Sequence, residues 1–128
     1  MEQINLKYKF NLKYTTSLYM KRFCQTLRLK EDRELIRQYT EVHRQIWPEI
    51  KAGIREVGIL DMEIYIHGNT LFMIVETTDD FDWVKDNQRL ATLPRQAEWE
   101  AYVSRFQQAT ASATSTEKWQ LMERIFKL

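Results

Sequence analysis

The chain has 128 residues, 44% of them apolar and 29% charged, which suits one folded domain with a single core and not a disordered segment. Its formal net charge of +1 gives no electrostatic case for nucleic acid or a membrane surface as partner. No apolar run approaches the roughly 18 residues of a spanning helix, and the single cysteine, Cys24, excludes an intramolecular disulfide and a cysteine-built zinc site.

Residues 1–20 differ from the rest. They hold NLKY twice, at 5–8 and 11–14, with no acidic residue after Glu2. They lack the apolar core of a secretion signal. We read them as an N-terminal extension, with Met20 a candidate start and residues 21–128 as one domain; the alternation of Leu6, Tyr8, Phe10, Leu12 and Tyr14 would also suit an edge strand. A lone thiol and no secretion signal fit the reducing cytoplasm. Cys24 is expected to be a buried small hydrophobe.

From Lys21 the pattern sharpens. FCQTLRL alternates, with Phe23, Gln25, Leu27 and Leu29 on one face of a strand. Glu31 to Gln45 has helical spacing through Leu35, Ile36, Tyr39, Val42, His43 and Ile46. Pro48 is excluded from a helix interior but suits a first turn, so PEIKAGIREV forms a further helical piece at a new angle, stopped by Gly58. Asp61 to His67 alternates, HGNT is a turn with Gly68 and Asn69 able to take positive φ, and TLFMIVET is the next strand. A helical region over 80–108 breaks near Pro94, with Asp79 or Asp80 as its N-cap. QATASATST is a polar connection, and KWQLMERIFKL closes as a fourth strand.

The order is β-α-β-β-α-β, which predicts an α+β, ferredoxin-like sandwich with helices on one sheet face. The other face needs cover. Phe23, Leu27, Met62, Ile64 and Ile66 occupy alternating strand positions and are the expected apolar material of that face, so a homodimer is expected.

The chain has no phosphate-binding glycine loop, no HExxH and no G-x-S-x-G. Nucleophilic and metal mechanisms therefore lose ground, and neither a metal nor a cofactor is expected. Tyr39 and His43 lie four apart on one helical face. Histidine can give and take a proton near neutral pH; on spacing alone, core packing is the favoured reading of Tyr39, His43 and Trp47. Glu98-Trp99 is a second candidate, a ring to stack on a sugar beside a carboxylate to hold its hydroxyls. A buried Trp next to a solvated Glu fits the same pattern. His67 reads as an exposed turn residue.

The run YTEVHRQIWPEI resembles the L-rhamnose mutarotase family, which carries Y-x-x-x-H followed by IWPE at this spacing. The resemblance extends through Gly58, the IYI and LFMIVE strands, the helix holding Trp99 and the closing IFKL. It implies a dimeric α/β-barrel form of the ferredoxin-like fold and interconversion of the α and β anomers of a 6-deoxy-L-hexose, with His43 as catalytic acid and Tyr39 as substrate contact. The family's tyrosine nineteen residues after the histidine is here Met62, and its Trp-Trp pair is Glu98-Trp99. Both departures fall among the sugar contacts, so L-fucose rivals L-rhamnose as substrate. Two other readings share the fold: a cofactor-independent monooxygenase, and a sugar-binding module without turnover.

Overall fold

A computed structural model describes residues 20–128. Almost all of the expected N-terminal extension, including the edge strand considered over Leu6 to Tyr14, lies outside the described residues. The elements run β1 (Lys21–Arg28), α1 (Arg33–Val42), α2 (Pro48–Glu56), β2 (Ile59–His67), β3 (Thr70–Thr77), α3 (Trp83–Leu90), α4 (Gln96–Ser104), α5 (Ser115–Lys118) and β4 (Gln120–Met122). The four strands form one antiparallel sheet in the order β2-β3-β1-β4, the ferredoxin-like arrangement expected from the element order.

Local chemistry accounts for the helix ends. Asp32 caps α1 by accepting the Leu35 amide at 3.0 Å, one of the donors that a helix start leaves unpaired. Trp47 is extended, and Pro48 opens α2 where its missing N–H costs nothing. Gly58 follows α2 at φ +104°, a conformation an L side chain rarely adopts. The second helical region is two helices, divided at Pro94 and Arg95, where Arg95 sits left-handed at φ 64°. The cap of α3 is Asp82, which accepts the Lys85 amide at 2.8 Å. Neither expected cap, Asp79 or Asp80, takes that place, and Asp80 instead accepts the Thr78 hydroxyl at 2.6 Å. In the β2–β3 turn Gly68 has positive φ and Asn69 does not; the Asn69 amide instead donates to the Leu29 carbonyl at 2.9 Å.

The expected fourth strand is much shorter than KWQLMERIFKL. Lys118 ends α5, and pairing with β1 stops at Met122, opposite Cys24. Continuing that register would set Arg124 opposite Arg22, two like charges face to face. Residues 123–128 leave the sheet, with Ile125 92% and Phe126 74% exposed.

Phe23, Leu27, Met62, Ile64 and Ile66 share the helix-covered face with Leu71, Met73 and Val75, as the register requires. They belong to the helix side and not to the open face, where they were expected. Sequence alternation sorts residues into two sets and cannot say which set the helices cover. The open face holds Cys24, Thr26, Glu63, Tyr65, Phe72, Ile74 and Met122. Cys24 is half-buried there and is not a core residue. The core proper, around Leu29, Ile50, Leu71, Val75, Phe81 and Phe106, fills the space between sheet and helices.

Candidate active site

Between the helices and the covered sheet face lies a cavity. Tyr39 and His43 of α1 line it, together with Ile46, Ile50 and Ile54, the sheet residues Met62, Ile64 and Met73, and Trp99 and Glu100 of α4. Apolar walls with few polar groups are the usual make-up of a small-molecule site.

Tyr39 and His43 meet because α1 puts residues four apart on one face, and their ring centroids are 4.3 Å apart. His43 caps the end of α1, where its own amide donates to the Tyr39 carbonyl at 3.3 Å. Its Nδ1 lies 2.8 Å from that carbonyl oxygen. A carbonyl only accepts, so Nδ1 carries the proton and Nε2 is left with its lone pair. Burial pushes the His43 pKa below the ordinary histidine value, and the carbonyl bond only partly opposes this. The resting imidazole at neutral pH is therefore uncharged, with one bare nitrogen. The Trp99 ring stands edge-on to it at 5.6 Å.

Tyr39 is 4% exposed. Burial, with the Glu100 carboxylate adding to it, holds the phenol pKa above its usual value, so Tyr39 stays a hydroxyl. Met62 lines the cavity as an apolar wall.

Glu98 does not line the cavity. Its carboxylate is on the surface, paired with Arg95 at 3.0 Å, which holds its pKa below the usual carboxylate range. Arg95 in turn lies 4.1 Å over the Trp47 ring, and Trp47 packs edge-on against Trp99 at 5.1 Å. Trp99 thus turns inward from the pair, whereas Glu98 steadies an outer stack of Arg95, Trp47 and Trp99.

The polar lining of the cavity at Gln96, Glu100 and Gln107, and Lys118 behind it, were not read from the sequence. Lys118 is fully buried; its Nζ lies 2.8 Å from Glu100 Oε1 and donates to the Glu100 carbonyl at 2.8 Å and to Gln107 Oε1 at 2.9 Å. Gln96 Nε2 donates to the other Glu100 oxygen at 2.7 Å. Gln107 Nε2 donates to the Tyr39 hydroxyl at 3.3 Å. The Gln96/Glu100 pair had a readable i, i+4 signal. Gln107 and Lys118 come from later segments, and only the tertiary fold brings them in. Among the described residues no three His, Cys, Asp or Glu side chains gather as a metal site would need, and no helix is long and apolar enough to cross a membrane.

Three comparisons bear on this arrangement. A family model described as L-rhamnose mutarotase matches residues 22–128. An L-fucose mutarotase from Xanthomonas campestris is 39% identical over 111 residues, spanning 85% of this chain and 89% of that protein. An L-rhamnose mutarotase from Paraburkholderia phymatum is 26% identical over 83 residues, spanning 63% and 73%. The crystal structure of an L-rhamnose mutarotase from Formosa agariphila superposes with a TM-score of 0.62 at 21% identity, covering 84% of this chain and 98% of that one, which speaks to the fold. With the family model covering nearly the whole described structure and a close relative over most of the same span, the chain belongs to the L-rhamnose mutarotase family, whose members are isomerases.

Proposed function

We propose that this protein interconverts the α and β anomers of a 6-deoxy-L-hexose, with L-fucose preferred to L-rhamnose. The observation that carries the reaction is His43 in the wall of an apolar cavity, its Nε2 left bare by the bond from Nδ1 to the Tyr39 carbonyl. Ring opening breaks the C1–O5 bond while C1=O1 forms. One proton leaves O1 and one reaches O5. Both oxygens are bonded to C1, so a single imidazole can serve both: Nε2 takes the O1 proton, then returns it as acid to O5. The Tyr39 hydroxyl donates a hydrogen bond to the charge that develops in between. After rotation about C1–C2, the same steps in reverse close the ring on the other face. The scheme uses no metal and no cofactor.

Trp99 and Met62 supply the apolar walls for the sugar ring and its 6-deoxy methyl. Where the family places a phenol, Met62 offers no hydroxyl partner, so orientation of one sugar hydroxyl is read less strictly. The preference for fucose follows the higher identity to the relative named L-fucose mutarotase. Neither a monooxygenase nor a binding module without turnover is favoured by any feature of the site. A cytoplasmic homodimer, with residues 21–128 as the catalytic domain and 1–20 as an extension, completes the reading.

The test is saturation-difference NMR of anomer exchange with L-fucose, L-rhamnose and D-glucose side by side. Exchange is to be fastest for fucose, slower for rhamnose and slowest for glucose. Equal acceleration of all three would defeat a dedicated 6-deoxy-L-sugar site.

A further inference from the structure

We infer that Lys118 and Gln107 form a buried relay that fixes the direction of the Tyr39 hydroxyl, making it a hydrogen-bond donor to the sugar. The reasoning follows donor and acceptor inventories. An ammonium group only donates, and the three Nζ donors of Lys118 go to the Glu100 carboxylate, the Glu100 carbonyl and Gln107 Oε1. The Gln107 amide therefore turns its oxygen to Lys118 and its NH2 to Tyr39. Facing a donor, the Tyr39 oxygen must accept, and its own proton is left to point elsewhere. The cavity that Tyr39 lines is where it can find a partner.

The relay is held rigidly. The Gln107 backbone bridges to Leu29 beside β1, the side chain is 2% exposed, and Glu100 is braced from its other side by Gln96. A buried ion pair adds little net stability over a well-packed apolar replacement, so a role in orientation gives Lys118 a purpose that packing alone does not. Lys118 and Gln107 are positioning residues; neither needs to touch the reacting atoms.

The inference rests on anomer exchange being the reaction. The experiment compares exchange rates at saturating L-fucose for wild type, Tyr39→Phe, Gln107→Glu, Gln107→Leu and the Tyr39→Phe/Gln107→Glu double variant, each with a melting curve. Glutamate at 107 still pairs with Lys118 but offers Tyr39 only acceptors, so the phenol proton turns inward. Gln107→Glu and Tyr39→Phe are each to slow exchange by about 10²-fold, the scale of losing one donor to a developing oxyanion. The double variant is to be no slower than either alone, because both changes remove the same bond. Gln107→Leu, which offers no acceptor, is to exchange faster than Gln107→Glu.

If Gln107→Glu does not fold, the charge-free Lys118→Met/Glu100→Gln variant replaces it. There the Gln107 amide is free to turn, and the loss is again to disappear against Tyr39→Phe. Losses that multiply, a Gln107→Leu variant as slow as Gln107→Glu, or a folded Gln107→Glu or Tyr39→Phe variant at the wild-type rate would overturn the relay. A wild-type protein that exchanges no sugar would remove the functional reading and the relay's purpose together. Intact wild-type exchange that these variants leave unaltered would remove the relay alone.

Discussion

A histidine held neutral by burial makes two statements about pH. Because the folded-state pKa of His43 lies below its ordinary value, the unfolded chain binds the proton first as pH falls. Stability from this group is therefore complete above about 6.5, the unfolded value, and is lost as pH falls through the folded pKa. In the proposed mechanism activity has the same sign: exchange should rise with pH through a value below about 6.5 and be flat above it, because Nε2 would have to be bare to begin. His43→Gln removes this titration. Glutamine can still donate to the Tyr39 carbonyl, but it cannot carry a proton. Exchange should fall by at least about 10²–10⁴-fold, with the pH step gone and the melting temperature nearly kept. A destabilised variant that still exchanges at full rate would return His43 to a packing role. Tyr39 and His43 are legible as a pair because both belong to one helix, yet spacing alone favours core packing for them, and only the family resemblance makes them site candidates. The sequence could not separate Trp99 from Glu98. Adjacent residues on a helix diverge by about 100°, and which one turns inward depends on where α4 lies over the sheet.

The elements themselves were legible wherever the signal is local. Pro48, Gly58 and Pro94 mark where helices start, stop and break, because each limits φ or removes a donor whatever surrounds it. Gly58→Ala tests one such stop. At φ +104° a Cβ would be strained, and it would meet Thr78 Oγ1 at 3.1 Å. The expected cost is about 1–3 kcal/mol, read as a lower midpoint in urea with an unchanged slope. An unchanged midpoint would mean that the α2–β2 connection relaxes freely. Features set by distant segments were not legible. The run over residues 118–128 alternates well enough for a strand, yet it strands for only three residues. Its length depends on what faces it across β1, including Arg22. Likewise Lys118 looks like an exposed strand residue in sequence, and only packing against Gln107 and Glu100 makes it a buried cation behind the cavity.

At the scale of the whole molecule, apolar side chains stand in solvent singly at Leu60, Ile66, Val84 and Leu121, and grouped on two surfaces of the described residues. The open sheet face presents Tyr65 and Met122, 55% and 44% exposed, beside half-buried Phe72 and Ile74. Residues 123–128 carry Ile125, Phe126 and Leu128 with almost no cover. Scattered exposed hydrophobes need no explanation, but an apolar sheet face next to an apolar segment is the pattern of an interface. The segment leaves its own sheet at Met122, so its backbone donors and acceptors are free to pair with a second copy. We therefore propose homodimerisation through these two surfaces in place of the expected interface of Phe23, Leu27, Met62, Ile64 and Ile66, which lie on the helix side of the sheet. Light scattering on the wild type at micromolar concentration should give the mass of a dimer. Ile125→Asp/Phe126→Asp should shift it to a monomer without loss of the folded core, because neither side chain packs within its own chain. A wild-type monomer, or a dimer indifferent to both charges, would place the interface elsewhere.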